Sequence, residues 1–120
     1  MQLIISKDLN YSNKNKVFFS KAELQIILQT YSKQVSSGVC KDYSIDHSKQ
    51  KAIFSFFRST FDKPLFQIEK KNNIKNKLLF DFNITYKHKI IETNISLSKI
   101  LKRLDKKFEF FQKNKKVKNG

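Results

Sequence analysis

Cys40, Asp46 and His47 are the side chains whose types could assemble a thiol nucleophile, an orienting acid and a base. Such a site needs a thiolate beside its base in a cleft, with a third group holding the imidazole. The spacing argues against it. On an extended strand Asp46 and His47 point to opposite faces, so they cannot pair directly as base and orienter. Cys40 follows a predicted helix C-terminus, where the negative end of the dipole disfavours a thiolate. The sequence predicts an inert, half-buried cysteine and an interface-facing histidine. Metal binding has as little to work with: one Cys and two His (His47, His88) form no CxxC, HxxxH or carboxylate cluster. The two glycines are isolated and one is the last residue, which excludes a phosphate-cradling glycine loop. No pair of carboxylates suggests glycosidase-type acid–base work. No catalytic residue, cofactor or metal is predicted.

A polar set remains: Asp42, Asp46, Arg58, Glu69 and Lys70. It begins in the window from Gly38 to Pro64, which holds the chain's only Cys and only Pro, and one each of its two Gly, two His and two Arg. The rest of the chain is written mostly in Lys, Asn, Ile and Phe. A lone arginine among lysines is the natural bidentate partner of a carboxylate. The simplest expectation is therefore a structural ion pair between Arg58 and a neighbouring acid that fixes strand register. The functional alternative leaves Arg58 exposed as a partner's anchor, since arginine is enriched at interface hot spots. All five residues are the candidate partner surface.

The formal charge of +15 invites a second reading. Clustered cations gain affinity for nucleic acid by releasing phosphate counterions. The candidate surface is Lys99, Lys102, Arg103, Lys106 and Lys107 on a C-terminal helix, followed by Lys113, Lys115, Lys116 and Lys118. Against it stands the ratio of 23 Lys to two Arg, because arginine is preferred for bidentate phosphate and guanine contacts. A Lys, Asn, Ile and Phe excess is also what A- and T-rich codons impose on any protein.

These residues need elements to position them. Ser20-Lys21-Ala22-Glu23 matches a capping box, with Phe19 and Leu24 placed as a hydrophobic staple. Leu24, Ile27, Leu28, Tyr31 and Val35 follow on one helical face, and Gly38 supplies the stop. Tyr43, Ile45 and His47 alternate as a strand, and Ser48–Lys51 reads as a hairpin turn. Ala52–Arg58 is apolar on both faces, which predicts a central strand covered on two sides. After a turn at Thr60–Lys63, Pro64 opens a strand with Phe66 and Ile68 opposite Gln67 and Glu69. Lys70–Lys77 reads as a basic loop. Leu78–Tyr86 alternates as a long strand with a wet face at Leu79, Asp81, Asn83 and Thr85. Lys87-His88-Lys89 is a tight connection to Ile90–Thr93. Leu97, Ile100, Leu101, Leu104, Phe108 and Phe111 then mark a second helix.

The predicted fold is α+β: an N-terminal helix, an antiparallel meander of about five strands and a C-terminal helix, both helices on one face. The divisions are residues 1–16 as an arm or short edge strand, with Gln2–Ile5 as the strand candidate, 17–112 as a single domain, and 113–120 as a basic mobile tail. The N-terminus lacks the basic and apolar regions of a signal peptide, and no apolar run approaches a membrane span. With a single cysteine, the expectation is a soluble, cytoplasmic protein.

The stretch from Phe18 to Lys70 resembles the alphaproteobacterial family known as domain of unknown function 2794. The resemblance is carried by Glu23-Leu24, by Lys41-Asp42-Tyr43-Ser44-Ile45-Asp46, by Ala52-Ile53-Phe54-Ser55 with Arg58, and by Pro64–Lys70. Cys40 and Lys41 stand where the family tends to have Trp and Arg. The resemblance implies a small bacterial cytosolic protein and no catalytic residues. The sequence thus points to a non-enzymatic protein-binding or regulatory module with an unknown protein partner. The alternative is binding to RNA or the ribosome through the basic helix and tail.

Overall fold

Ser20 begins the first helix. Its hydroxyl accepts from the Glu23 amide at 3.0 Å, and its own amide donates to Glu23 Oε1 at 2.7 Å, so two orphan donors are satisfied reciprocally. The computed structural model describes residues 16–59 and 63–119, with side chains as far as residue 113. The predicted strand at Gln2–Ile5, and residues 60–62 of the predicted turn, lie outside the described residues. The element order is α1 (Lys21–Ser36), β1 (Asp42–His47), β2 (Lys51–Phe57), β3 (Phe66–Asn72), β4 (Phe80–Tyr86), β5 (Lys89–Asn94) and α2 (Leu97–Asn119). The strands form one antiparallel sheet in the order β1-β2-β3-β4-β5. This is the predicted α+β meander.

Helix α1 ends as predicted, at Gly38 with φ +82°, while the Val39 and Cys40 amides turn back onto Gln34 O. The buried stripe is Ile27, Thr30 and Gln34, and Val35, expected inside, is 44% exposed.

Both helices pack on one face of the sheet. Register places Phe54, Ile68 and Ile84 in one row, with Ala52, Lys70 and Phe82 beside it. From the helices, Ile27, Ile100, Leu104 and Phe108 close over them. An aromatic line crosses the sheet: Tyr43 on Phe54 (5.0 Å), Phe54 on Phe56 (4.9 Å), then Phe56, Phe108 and Phe66 (5.4 and 5.0 Å). Edge-to-face and offset pairs of this kind add to area burial. Phe19, Phe54, Phe56, Phe66, Phe82 and Phe108 thus lie in the core, whereas Phe110 is exposed.

The second face differs from expectation. β2 is not covered on two sides by the described helices, and its Ile53 and Phe57 are only half-buried there. Nor is the predicted wet face of β4 wet at Asn83 and Thr85, although Leu79 is exposed and Asp81 half-buried. Ser55, Glu69, Asn83 and Thr85 are buried, because each finds a polar partner on a neighbouring strand. Gln67 Nε2 donates to Ser55 Oγ at 2.9 Å, and Thr85 Oγ1 to Gln67 Oε1 at 3.1 Å. Asn83 Nδ2 lies 3.4 Å from Glu69 Oε1, and Thr93 Oγ1 donates to Asn83 Oδ1.

Tight connections follow local chemistry. Lys87 and His88 join β4 to β5 with φ +52° and +68°, the left-handed pair that a two-residue hairpin requires. A bulge lies opposite Ile84 and Thr85. Asn73 Oδ1 accepts from the Lys75 and Asn76 amides and shapes the β3–β4 loop, which starts later than expected because β3 runs to Asn72. Helix α2 buries the predicted face and continues to Asn119, through residues expected as a tail. Lysine is a good helix former, and cations near a helix C-terminus are favoured by its dipole. Among the described residues no helix is long and apolar enough to cross a membrane.

Candidate functional site

The five-residue polar set is not brought together. Asp42 opens β1, where its Oδ1 accepts from the Tyr43 amide at 2.8 Å. Its charge adds to the effect of burial in raising the Tyr31 hydroxyl pKa. Asp46 is exposed on the second face, opposite Ile53. His47, on the helix side, stacks on the Phe18 ring at 4.2 Å, and burial lowers its pKa. Cys40 is buried in the core, and desolvation pushes its thiol up to about 11. The three groups of the imagined nucleophilic site thus lie apart: Asp46 and His47 on opposite faces of β1, and Cys40 inside the core. Among the described residues no group of three or more His, Cys, Asp and Glu could hold a metal ion.

Glu69 and Lys70 are adjacent in β3 and face opposite ways, each nearly sequestered. Glu69 pairs with Lys51 Nζ at 3.1 Å on the second face. Lys70 lies under the start of α1, where its ammonium donates to Phe18 O and to Glu23 Oε1, both at 2.8 Å. It also stands 4.2 Å from the centre of the Phe80 ring. A residue expected on the surface is therefore 5% exposed, because a carbonyl, a carboxylate and a ring replace its hydration.

Arg58 corrects the expectation in the other direction. It follows β2 at the opposite end of the sheet, is exposed, and has no ion pair among the described residues. Its guanidinium lies 5.5 Å over the Phe111 ring. The antiparallel register explains this: Asp42 opposes Phe57, one residue short of Arg58, and its Oδ1 accepts from the neighbouring Tyr43 amide.

Arg58 stands at a cavity of about 570 Å³ at this end of the sheet. Lys63 before β3, and Lys87 and His88 of the β4–β5 turn, add three more basic side chains. Pro64, Leu65, Tyr86 and Phe111 supply apolar wall, and no described lining residue is acidic. The Lys87 ammonium is 5.4 Å from the Tyr86 ring centre, so two of the cations rest on aromatic platforms. Such contacts hold a cation in place without neutralising it. Sequence reasoning singled out Arg58 but missed Lys63, Lys87 and His88 as its neighbours. The signal available was two bulky residues in a two-residue turn that favours Asn-Gly.

The basic face of α2 is partly neutralised. Glu92 on β5 accepts from Arg103 Nη1 at 2.7 Å and pairs with Lys107 Nζ at 3.5 Å. The Arg103 hydrogen bond is the main reason that the Glu92 carboxyl titrates below its ordinary value. Lys99, Lys102 and Lys106 are exposed, with no ion pair among the described residues, and their spacing puts them on one stripe of the helix.

Comparison with known families gives one result. The family described as Protein of unknown function (DUF2794) matches residues 17–101, from Val17, whose amide donates to Ser48 O ahead of α1, to the first turn of α2. No curated protein and no solved structure matches the chain significantly.

Proposed function

The chain belongs to this family of unknown function, and from that premise we propose that it is a non-enzymatic binding module whose partner is a protein anchored by Arg58. The observation that carries the reading is the state of Arg58: exposed, over Phe111, without a carboxylate among the described residues, at the rim of a cleft with an apolar wall. An arginine that stabilised the fold through an ion pair would have an acid beside it. One that waits for a partner keeps its donors open, and a planar guanidinium on an aromatic ring is pre-organised to use them. A cytoplasmic setting belongs to the same proposal and suits a free, buried Cys40.

The test is a photo-crosslinking residue at position 63, beside the cleft, with position 75 in the distant β3–β4 loop as control, in living cells. A protein adduct at 63, absent at 75 and lost on Arg58→Lys at unchanged melting temperature, supports the proposal. Adducts removed by nuclease, or a melting temperature that falls with Arg58→Lys, overturn it.

The stripe of Lys99, Lys102 and Lys106 favours nucleic acid as the second reading. Three phosphate contacts imply a log–log salt dependence of affinity with a slope of roughly −3. Absence of RNA and DNA binding at low salt removes this reading.

A further inference from the structure

Taking from the proposed function only that the cleft is the binding site, we infer that the cavity accepts a dianionic phosphate monoester carried on an aromatic or apolar body. Charge is the first argument. Arg58, Lys63 and Lys87 are cations at neutral pH, His88 adds an imidazole, and no described lining residue is acidic. A carboxylate would leave that cluster under-neutralised. A phosphate dianion matches it and offers three acceptor oxygens to the donors.

The turn supplies the second argument. Lys87 and His88 both hold positive φ, a region that Gly enters freely, that Asn, Asp and His enter more often than other residues, and that Lys enters only at a cost. This chain uses Asn at ten positions but not at these two. The turn instead places two basic side chains at one cavity, Lys87 at that cost. Strain kept where a cheaper residue is common points to a requirement for the side chains themselves.

Shape gives the body. About 570 Å³ is far more room than a phosphate group fills, and the remaining wall is Pro64, Leu65, Tyr86 and Phe111. The nearby Gln67 and Thr85 are engaged with Ser55 and with each other. Recognition therefore falls to the cations at the rim and the rings beside them.

The experiment titrates phenyl phosphate, and separately benzoate at equal ionic strength, into the full chain while backbone amide and His88 ring resonances are followed by NMR. Phenyl phosphate is expected to bind about tenfold more tightly than benzoate, with shifts confined to Leu65, Thr85 and the Lys87-His88 turn. Arg58→Gln and Lys87→Gln should each weaken it about tenfold at unchanged melting temperature. Equal affinity for the two anions, or shifts spread equally along Lys99–Lys106, overturns the inference. Phosphotyrosine amide and adenosine monophosphate then separate the sources. Tighter binding of the first supports a phosphorylated protein; tighter binding of the second keeps the phosphate site and removes the protein partner. If no phosphate binds while the crosslink at position 63 persists, the phosphate inference falls and the partner reading stands.

Discussion

At one end of the sheet the Lys70 ammonium lies over Phe80 and donates to Phe18 O and Glu23 Oε1. At the other end the Arg58 guanidinium lies over Phe111 with no acid beside it among the described residues. Both cations rest on a ring, so the ring does not distinguish them. What differs is the supply of oxygen. A buried ammonium without acceptors would be costly, and Lys70 is tolerated inside only because a carbonyl and a carboxylate meet it there. Arg58 keeps its water, and with it the freedom to exchange that water for a ligand. Arg103 is an intermediate case: 48% exposed at the side chain, yet paired to Glu92.

The largest break in this comparison is Glu23→Ala. It removes the counterion of Lys70 and one half of the α1 cap together, with an expected loss of about 3 kcal/mol in urea unfolding. A loss under about 1 kcal/mol would mean that Lys70 escapes to solvent, and the two ends would then be alike. Arg103→Gln comes next, costing at most about 1 kcal/mol at neutral pH because the pair is exposed. Its sign with pH is set by Glu92. A carboxyl whose folded pKa is depressed contributes above its unfolded pKa and loses that contribution as pH falls through the folded one. The variant and the parent should therefore converge in stability at acid pH, which melting curves across pH would show. Arg58→Gln has the smallest effect, within about 0.5 kcal/mol of the parent. A greater loss would make Arg58 structural and erase the contrast.

Read from sequence, Arg58 is an acid's partner or an exposed anchor, and Lys70 is part of a partner surface. In the structure Lys70 holds the ion pair, with Glu23, and Arg58 has none among the described residues. Local signals were legible because their partners are close in the chain: the Ser20–Glu23 box, the stop at Gly38, the alternation of β3 and the apolar stripe of α2. Lys70 was not legible, since its acceptor Glu23 is 47 residues away. The same limit explains Asn83 and Thr85. Polar residues alternating along a strand read as a solvated face, and only the neighbouring strand reveals that Asn83 meets Glu69 and Thr85 meets Gln67. In α1 the buried stripe runs through Ile27, Thr30 and Gln34, which turns Val35 out of the core. The cavity was half legible. Arg58 announced itself by composition, whereas Lys63, Lys87 and His88 are common or exposed residues that only the meander gathers.

One atom has a kinetic consequence. Glu23 Oε1 accepts both from the Ser20 amide three residues away and from Lys70 on β3. The first contact can form as soon as the helix nucleates; the second must wait for β3 to dock. Weakening the helix start should therefore slow folding if α1 belongs to the nucleus, while replacing Lys70 should mainly hasten unfolding. The two ends of one hydrogen-bonded cluster then belong to different stages of the same folding reaction.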